Sequence, residues 1–233
     1  MEKILAPSIL AADIMRLGEQ IEAVKNAGAK YLHIDVMDGM FVPALSYGMC
    51  VVESIRKSCD MVLDVHLMID KPVRYVEAFA QAGADLLSVH LEADHPTGIA
   101  EALRRMEACK VKKAVALRPI TAPSAVLPYL EGLDMVLVMS VEPGFSGQSY
   151  IEGSEAKVAR IAEMARAVGA SPLIQVDGGI GEVTAPIVAA AGADVLVCGN
   201  AVFAAEDPAA ALAAVQAAAE EARLAALAVS KEA

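Results

Sequence analysis

Apolar residues in this chain fall into short aliphatic segments that are separated by stretches with helical spacing. Eight segments have the length and composition of buried strands, namely Ile4–Ser8, Leu32–Val36, Val62–Leu67, Leu86–His90, Ala114–Leu117, Met135–Met139, Leu173–Asp177 and Val195–Cys198. Three of them follow an Ala-Gly-Ala turn, in which glycine suits the left-handed conformation that ends a helix. This alternation of helix, glycine turn and strand predicts βα units around a parallel sheet.

Eight βα units, without a linker or a break in composition, predict one domain over residues 1–233. The predicted fold class is α/β, a single-domain (β/α)8 TIM barrel. An alanine-rich helix of about residues 208–227 is expected to close the barrel, and residues 229–233 to form a loose end. An open doubly wound sheet is the alternative, but no G-x-G-x-x-G follows the first strand.

Composition and charge narrow the class of partner. The formal net charge of −11 argues against nucleic acid and anionic membrane surfaces, which both require basic patches. Although 56% of the residues are hydrophobic, no uncharged apolar run reaches the ~20 residues of a membrane span. The N-terminus lacks the basic and apolar regions of a secretory signal, so a cytoplasmic protein is expected. The four cysteines lie at scattered spacings that are typical of reduced thiols.

Side chains that can bind metals lie near the carboxyl ends of three predicted strands. Because side chains alternate along a strand, His33 and Asp35 share one face of the second strand. His66 ends the third strand and Asp177 ends the seventh. The carboxyl ends of barrel strands meet at one mouth, and two imidazoles with two carboxylates suit a divalent ion such as Zn²⁺, Mn²⁺, Fe²⁺ or Co²⁺. We therefore predict a metal site, with Asp64 fixing the tautomer of a ligand; a hydrogen-bonded polar cluster without a metal is the alternative.

Three glycine-rich segments follow the last three strands, and they are Pro143–Gln148, Asp177–Ile180 and Gly199–Ala201. Glycines let backbone N–H groups crowd around an anion, and barrels often hold a phosphate at the loops after strands seven and eight. Neutral backbone donors also suit a protein whose overall charge repels anions. Together the segments predict a phosphate site, whereas each one alone indicates only a turn.

Three methionines, Met37, Met68 and Met139, lie at or next to inward-facing positions near the predicted metal. Their polarizable side chains are suited to covering a reacting carbon and excluding water, and ordinary core filling is the alternative. The two remaining histidines carry less weight, because His90 is expected at the rim of the barrel and His95 in a solvated loop.

Five segments of the chain resemble the motifs of the ribulose-phosphate 3-epimerase family, namely Ala6–Leu10, His33–Gly39, Asp64–Met68, Met139–Gln148 and Val176–Ile180. The motifs occur in the family's order, and the resemblance extends from about Ile4 to Pro208. It implies a metal-dependent TIM-barrel epimerase that interconverts ribulose 5-phosphate and xylulose 5-phosphate in the pentose phosphate pathway. It also implies one divalent ion (Zn, Fe, Mn or Co) and assembly into a homo-oligomer.

The family's functional residues can be placed on this sequence motif by motif. The resemblance implies four metal ligands, which are His33, Asp35, His66 and Asp177, and an acid–base pair formed by Asp35 and Asp177. It implies contacts with the sugar phosphate from Ser8, Met37, His66, Met68, Met139, Gly144, Phe145, Ser146, Gly147, Asp177, Gly178, Gly179, Gly199 and Asn200. The chain departs from the common pattern at Met40, Ala44, Arg118 and Asn200. None of the four is a predicted ligand or acid. Asn200 bears on one hydrogen bond to the phosphate, and the region from Met40 to Ala44 bears on which sugar is preferred.

Inversion at C3 of a 2-ketose phosphate requires removal of a proton next to a carbonyl and return of a proton to the other face. Asp35 and Asp177 are suited to flank that carbon, with the enediolate stabilised by the metal. Two alternatives stay open, a ketohexose 6-phosphate such as allulose 6-phosphate as substrate, and a phosphosugar-binding barrel without catalysis. Phosphosugar synthases and decarboxylases of related barrels use an Asp-x-Lys-x-x-Asp motif at strand three. This chain has Asp64-Val65-His66 there, and the missing lysine argues against those activities.

Overall fold

The computed structural model describes residues 3–232, in which eight strands form one parallel sheet. The strands are β1 (Ile4–Pro7), β2 (Tyr31–Met37), β3 (Val62–Met68), β4 (Leu86–His90), β5 (Lys112–Leu117), β6 (Met135–Met139), β7 (Leu173–Asp177) and β8 (Val195–Cys198). They pair in the order β1-β8-β7-β6-β5-β4-β3-β2, and an isolated parallel bridge between Ser8 and His33 joins the two ends. The sheet is therefore a nearly closed barrel, which confirms the predicted fold class.

Helices surround the barrel, and they are α1 (Leu17–Asn26), α2 (Met49–Ser58), α3 (Val76–Ala82), α4 (Pro96–Ala108), α5 (Ser154–Ala167), α6 (Ala185–Ala190), α7 (Asn200–Phe203) and α8 (Pro208–Glu232). The unit after β5 differs from the others, because it contains only the 3₁₀ turns Pro123–Val126 and Leu130–Gly132. Pro123 and Pro128 lie in this segment, and a proline inside a helix removes a backbone hydrogen bond. The short turns follow from that sequence.

The two faces of the strands are buried against different partners. Outward-facing aliphatic residues such as Leu32, Ile34 and Val36 belong to the main core between the sheet and the helices. At the amino-terminal end of the barrel, inward residues including Tyr31 and Leu86 form a separate apolar cluster. Toward the carboxyl ends, buried histidines and aspartates replace these apolar side chains. Since buried charged groups are costly unless they are paired or bind a metal, this end of the barrel is where a site is expected.

The last helix, α8, runs to Glu232 and extends past the predicted end near residue 227. No glycine or proline follows Pro208 in this alanine-rich sequence, and alanine has the highest helix propensity. Residues 229–232 of the expected loose end are therefore helical, and residue 233 lies outside the described residues. Along the described part of the chain, no helix is both long and apolar enough to cross a lipid bilayer.

Candidate active site

The register between β2 and β3 builds the centre of the site. His33 lies opposite Asp64 and Asp35 lies opposite His66, and all four side chains are buried. Asp177, the last residue of β7, approaches the same histidines from a strand that does not adjoin β2 or β3. Paired strands place facing residues side by side, so the local sequence surrounds two imidazoles with carboxylates.

Four side chains converge on one point. Asp35 Oδ1 lies 3.3 Å from His33 Nε2 and 3.1 Å from His66 Nδ1. Asp177 Oδ2 lies 3.8 Å from each of the same two nitrogens. One possible ligand atom from each of the four residues lies within 4.8 Å of the other three. The structure thus brings together the four residues that the sequence predicts as metal ligands.

The hydrogen bonds of His33 fit metal binding. Its Nδ1 lies 2.8 Å from Asp64 Oδ2, and the same oxygen accepts a hydrogen bond of 2.5 Å from Gln175 Nε2. The buried Nε2 makes no hydrogen bond to any residue that the structure describes, and with the ring proton on Nδ1 it would offer a lone pair to a cation. Asp64 therefore lies where a partner of a metal ligand is expected. A free imidazole lone pair between two carboxylates suits a borderline divalent cation.

His66 has a different partner at its other ring nitrogen. Its Nε2 lies 2.9 Å from His90 Nε2, and His90 Nδ1 lies 3.1 Å from Glu92 Oε2. As the sequence predicts, His90 ends β4 and makes hydrogen bonds, but it is fully buried next to β3 and does not lie at the rim. The ring of Phe41 packs against it, with the ring centroids 4.8 Å apart. The other histidine, His95, is exposed and precedes α4 as its N-cap.

Burial and charge separate the pKa values of the two central aspartates. Burial raises the pKa of Asp177 to about 6, and the negative charge of Asp35 acts in the same direction. Burial would also raise the pKa of Asp35, but in the metal-free protein the charge of the neighbouring His33, together with His66, outweighs burial and holds that pKa below its ordinary value. One carboxylate thus stays ionised while the other exchanges a proton near neutral pH. Acid–base catalysis uses this division of roles.

A cavity of about 360 Å³ opens at this cluster, a size that suits a small molecule. Every residue that the sequence predicts to contact the sugar phosphate lines the cavity, with the exception of His66. The His66 ring does not reach the cavity because it is fully buried between Asp35 and His90. Ser8, at the edge of the cluster, donates its O–H to Asp35 Oδ2 at 2.5 Å.

The three predicted methionines form an apolar part of the cavity wall. Met37 and Met68 face each other across the β2–β3 pair and pack with Val42. Met139 packs with Leu137 at the carboxyl end of β6. Apolar side chains at this place are suited to limit the access of water to the carboxylates.

The glycine-rich loops touch one another beside the cavity. A Cβ atom on Gly179 would lie 2.4 Å from the backbone nitrogen of Tyr150, so only glycine fits against the loop after β6. Gly178 and Gly179 both have positive φ angles, of 120° and 63°, which most other residues rarely adopt. Gly147 approaches the Asn200 side chain, and a Cβ there would lie 2.9 Å from Asn200 Nδ2. The three loops therefore form one continuous surface, as a phosphate site requires.

Charged side chains contribute little to this surface. Among the described residues, no lysine or arginine lines the cavity, and Glu182 at its edge adds negative charge. An anionic group would therefore depend on backbone N–H groups and neutral side chains.

Of the four departures from the family pattern, Asn200 lines the cavity. Arg118 instead lies over the ring of Phe41 at 4.4 Å and donates to the carbonyl oxygen of Phe41 at 2.9 Å. Met40 is exposed to solvent.

Some residues of the site were not predicted from the sequence. His90 with Glu92 carried a signal, since His90 follows Ser88 at an inward-facing position of a strand end. Residues 181–184 also line the cavity, and no motif in the sequence marks them. Gln148 donates from Nε2 to the carbonyl oxygens of Glu142 and Phe145, which closes the loop after β6 on itself.

Sequence comparison connects this geometry to known proteins. The sequence model of the Ribulose-phosphate 3 epimerase family matches residues 4–203. The chain belongs to the ribulose-phosphate 3-epimerase family. Within this family, the ribulose-phosphate 3-epimerase of Bacillus subtilis is 45% identical over 205 residues, which cover 87% of this chain and 93% of that protein. The chloroplastic ribulose-5-phosphate-3-epimerase of Arabidopsis thaliana is 44% identical over 214 residues, which cover 92% of this chain and 76% of that protein.

Solved structures resemble this member of the epimerase family in fold. A 3-hexulose-6-phosphate synthase is 25% identical with a TM-score of 0.68, and the match covers 94% of this chain and 99% of that chain. KGPDC from Streptococcus mutans is 18% identical with a TM-score of 0.70, and the match covers 95% of this chain and 99% of that chain. In β3 of this chain, His66 stands where the Asp-x-Lys-x-x-Asp pattern has its lysine. Membership in the ribulose-phosphate 3-epimerase family identifies an enzyme of the isomerase class.

Proposed function

We propose that the protein is a divalent-metal-dependent epimerase that inverts C3 of D-ribulose 5-phosphate to give D-xylulose 5-phosphate. The observation that carries the proposal is the convergence of Asp35 and Asp177 with two histidines at a cavity that glycine-rich loops also line. Family membership and the names of the relatives support the choice of substrate.

The four clustered residues would hold a divalent ion through two imidazole nitrogens and two carboxylate oxygens. When bound, such an ion supplies positive charge that stabilises the negative charge developing on the carbonyl oxygen of the substrate. Asp64 supports this arrangement because it accepts a hydrogen bond from the Nδ1–H of His33, which leaves Nε2 free to bind the ion.

The two aspartates carry the proton transfers. They reach the cavity from β2 and β7, so a sugar that lies between them presents one face of C3 to each carboxylate. One aspartate accepts the C3 proton, and the other, in its protonated form, donates a proton to the opposite face. In the metal-free protein, burial raises the pKa of Asp177 to about 6, so this carboxyl holds a proton more readily than an exposed aspartate does. The hydrogen bond from Ser8 orients the carboxylate of Asp35.

The glycine-rich loops supply the grip on the phosphate. Gly178, Gly179 and Gly147 bring the backbone close to the cavity, where neutral N–H groups can donate to phosphate oxygens. Because the phosphate is remote from C3, its binding energy serves to place the sugar between the two aspartates. The methionine wall excludes water from the same space.

Comparison of substrates tests the proposal. Epimerisation is followed by ¹H NMR with D-ribulose 5-phosphate, unphosphorylated D-ribulose and a ketohexose 6-phosphate, each before and after removal of metal by a chelator. We expect the pentulose phosphate to react fastest and D-ribulose to lose about 100-fold or more in kcat/KM, equivalent to about 3 kcal/mol of binding energy. Chelation is expected to abolish turnover, and added divalent ion to restore it.

Each other outcome contradicts a defined part of the proposal. Faster reaction of the ketohexose 6-phosphate would assign the six-carbon substrate. Stoichiometric binding without proton exchange at C3 would identify a phosphosugar-binding barrel without catalysis. Undiminished activity in metal-free protein would contradict the metal site. Assembly into a homo-oligomer and the cytoplasmic location stay predictions.

A further inference from the structure

A pair of polar residues lies behind His66, on the ring edge that faces away from Asp35. His66 Nδ1 lies 3.1 Å from Asp35 Oδ1, whereas His66 Nε2 lies 2.9 Å from His90 Nε2. His90 Nδ1 in turn lies 3.1 Å from Glu92 Oε2. A chain of hydrogen bonds therefore leads from the metal cluster through two buried imidazoles to the carboxylate of Glu92 at the rim.

The outer end of this chain is fixed. Glu92 Oε1 accepts hydrogen bonds from the backbone N–H of Arg118, at 2.9 Å, and from the hydroxyl of Thr121. Its other oxygen, Oε2, is left for His90. An ionised carboxylate only accepts hydrogen bonds, so Glu92 requires His90 to carry its proton on Nδ1 and to donate from there. The ring of Phe41 packs against His90 and restricts its movement.

The proton positions along the chain follow from those contacts. A neutral imidazole with its proton on Nδ1 presents a lone pair at Nε2, so His90 accepts a hydrogen bond from His66. When the site holds a divalent ion, His66 must then carry its proton on Nε2, and its Nδ1 would present a lone pair to that ion beside the carboxylates. The opposite tautomer of His66 would place a proton where a metal ion is expected to bind.

We propose that His90 and Glu92 are positioning residues that fix the tautomer of His66 and thereby set the affinity of the site for a divalent ion. This inference rests on the metal site of the proposed function. Asp64 acts on His33 in one step, whereas Glu92 acts on His66 through a second imidazole. Loss of such outer partners commonly lowers metal affinity about 10- to 100-fold.

Metal affinity of variants tests the proposal without reference to turnover. The dissociation constant for Co²⁺ is measured by competition with a chromophoric chelator, and the visible spectrum of the bound ion reports its coordination. We expect His90→Leu to weaken binding about 10- to 100-fold, because no acceptor is left for the His66 proton. His90→Gln offers an amide oxygen at that place and is expected to recover most of the loss. Glu92→Gln changes an exposed rim residue and is expected to fall between the wild type and His90→Leu.

Two further variants separate positioning from a general structural effect. Ser88→Ala alters a buried, inward-facing residue of β4. Ser88 pairs with His66 in register, but its hydroxyl makes no hydrogen bond among the described residues. The variant is expected to keep wild-type affinity. His66→Ala removes a ligand and is expected to abolish binding. Raising the Co²⁺ concentration should restore the turnover of His90→Leu toward that of the wild type, which a general loss of structure would not allow.

The outcomes distinguish this inference from the proposed function. The metal site would stand if the wild type bound one ion and His66→Ala bound none. If both His90→Leu and Glu92→Gln then kept wild-type affinity, the positioning role would be refuted. If His90→Gln were as weak as His90→Leu, the acceptor at Nε2 would not be the cause. If the wild type bound no ion stoichiometrically, the metal site and the positioning role would both fail.

Discussion

The substitution Asp177→Asn is expected to stabilise the metal-free protein while it removes activity. Burial and the charge of Asp35 raise the pKa of Asp177 from its ordinary value of 3.8 to about 6. The unfolded chain therefore releases this proton near pH 4, whereas the folded protein holds it up to about pH 6. The free energy of unfolding falls across that interval, because the folded state binds more protons than the unfolded state.

The size of this effect follows from the pKa difference. The rise from 3.8 to about 6 corresponds to about 3 kcal/mol of lost stability above pH 6. Asparagine has nearly the same shape and cannot ionise, so the variant does not incur this loss. For a domain of this size, about 3 kcal/mol corresponds to a Tm higher by about 6–12 °C. Below about pH 4, where aspartate is protonated in both states, the two proteins should differ little.

Thermal unfolding in the presence of a chelator, followed by circular dichroism from pH 4.5 to pH 8, measures this difference. Glu131→Gln removes one carboxylate from an exposed position and serves as the control for the loss of a negative charge. Saturating divalent ion should stabilise the wild type more than Asp177→Asn, since the variant lacks a ligand. An Asp177→Asn variant that is no more stable than the wild type at pH 8 would refute the raised pKa assigned to Asp177.

Other predictions concern the partners of the cluster and the glycine loops. Asp64→Asn should lower the affinity for a divalent ion about 10- to 100-fold in a chelator competition, because Asp64 holds the proton of the ligand His33. Binding of the ion should release at least one proton, because two neighbouring aspartates outweigh burial and raise the pKa of His33 well above its ordinary value. Calorimetry in buffers of different ionisation enthalpy measures that release. An affinity that does not fall with falling pH would contradict it. Gly179→Ala should lower the free energy of unfolding in urea by more than about 2 kcal/mol, because its Cβ would lie 2.4 Å from Tyr150 N. Gly132→Ala, at a position with open space and no positive φ, should have a much smaller effect.

Strand periodicity was sufficient to predict most of the barrel. The alternation in β2 places His33 and Asp35 on one face, and this parity depends only on local backbone geometry. The register that sets Asp35 beside His66 depends instead on the packing of whole strands, so the sequence could indicate the convergence but not the contacts.

Other features depend on tertiary contacts that leave no local pattern. Strand alternation indicates that His90 faces inward, but its contact with His66 is visible only when β4 lies beside β3. The close approach of Gly179 to Tyr150 joins two loops that are distant in sequence. The end of α8 was placed too early, because an uninterrupted alanine-rich sequence contains no stop signal.

The central claim is that Asp35 and Asp177 act on opposite faces of one sugar carbon. Incubation of D-ribulose 5-phosphate or D-xylulose 5-phosphate in D₂O at saturating metal, followed by ¹H NMR of the C3 proton, tests it most directly. The wild type should interconvert the two epimers with deuterium at C3. Asp35→Asn and Asp177→Asn should abolish interconversion, and each should still exchange the C3 proton of one epimer only, a different epimer in each variant. Interconversion at a near wild-type rate in either folded variant would contradict the claim.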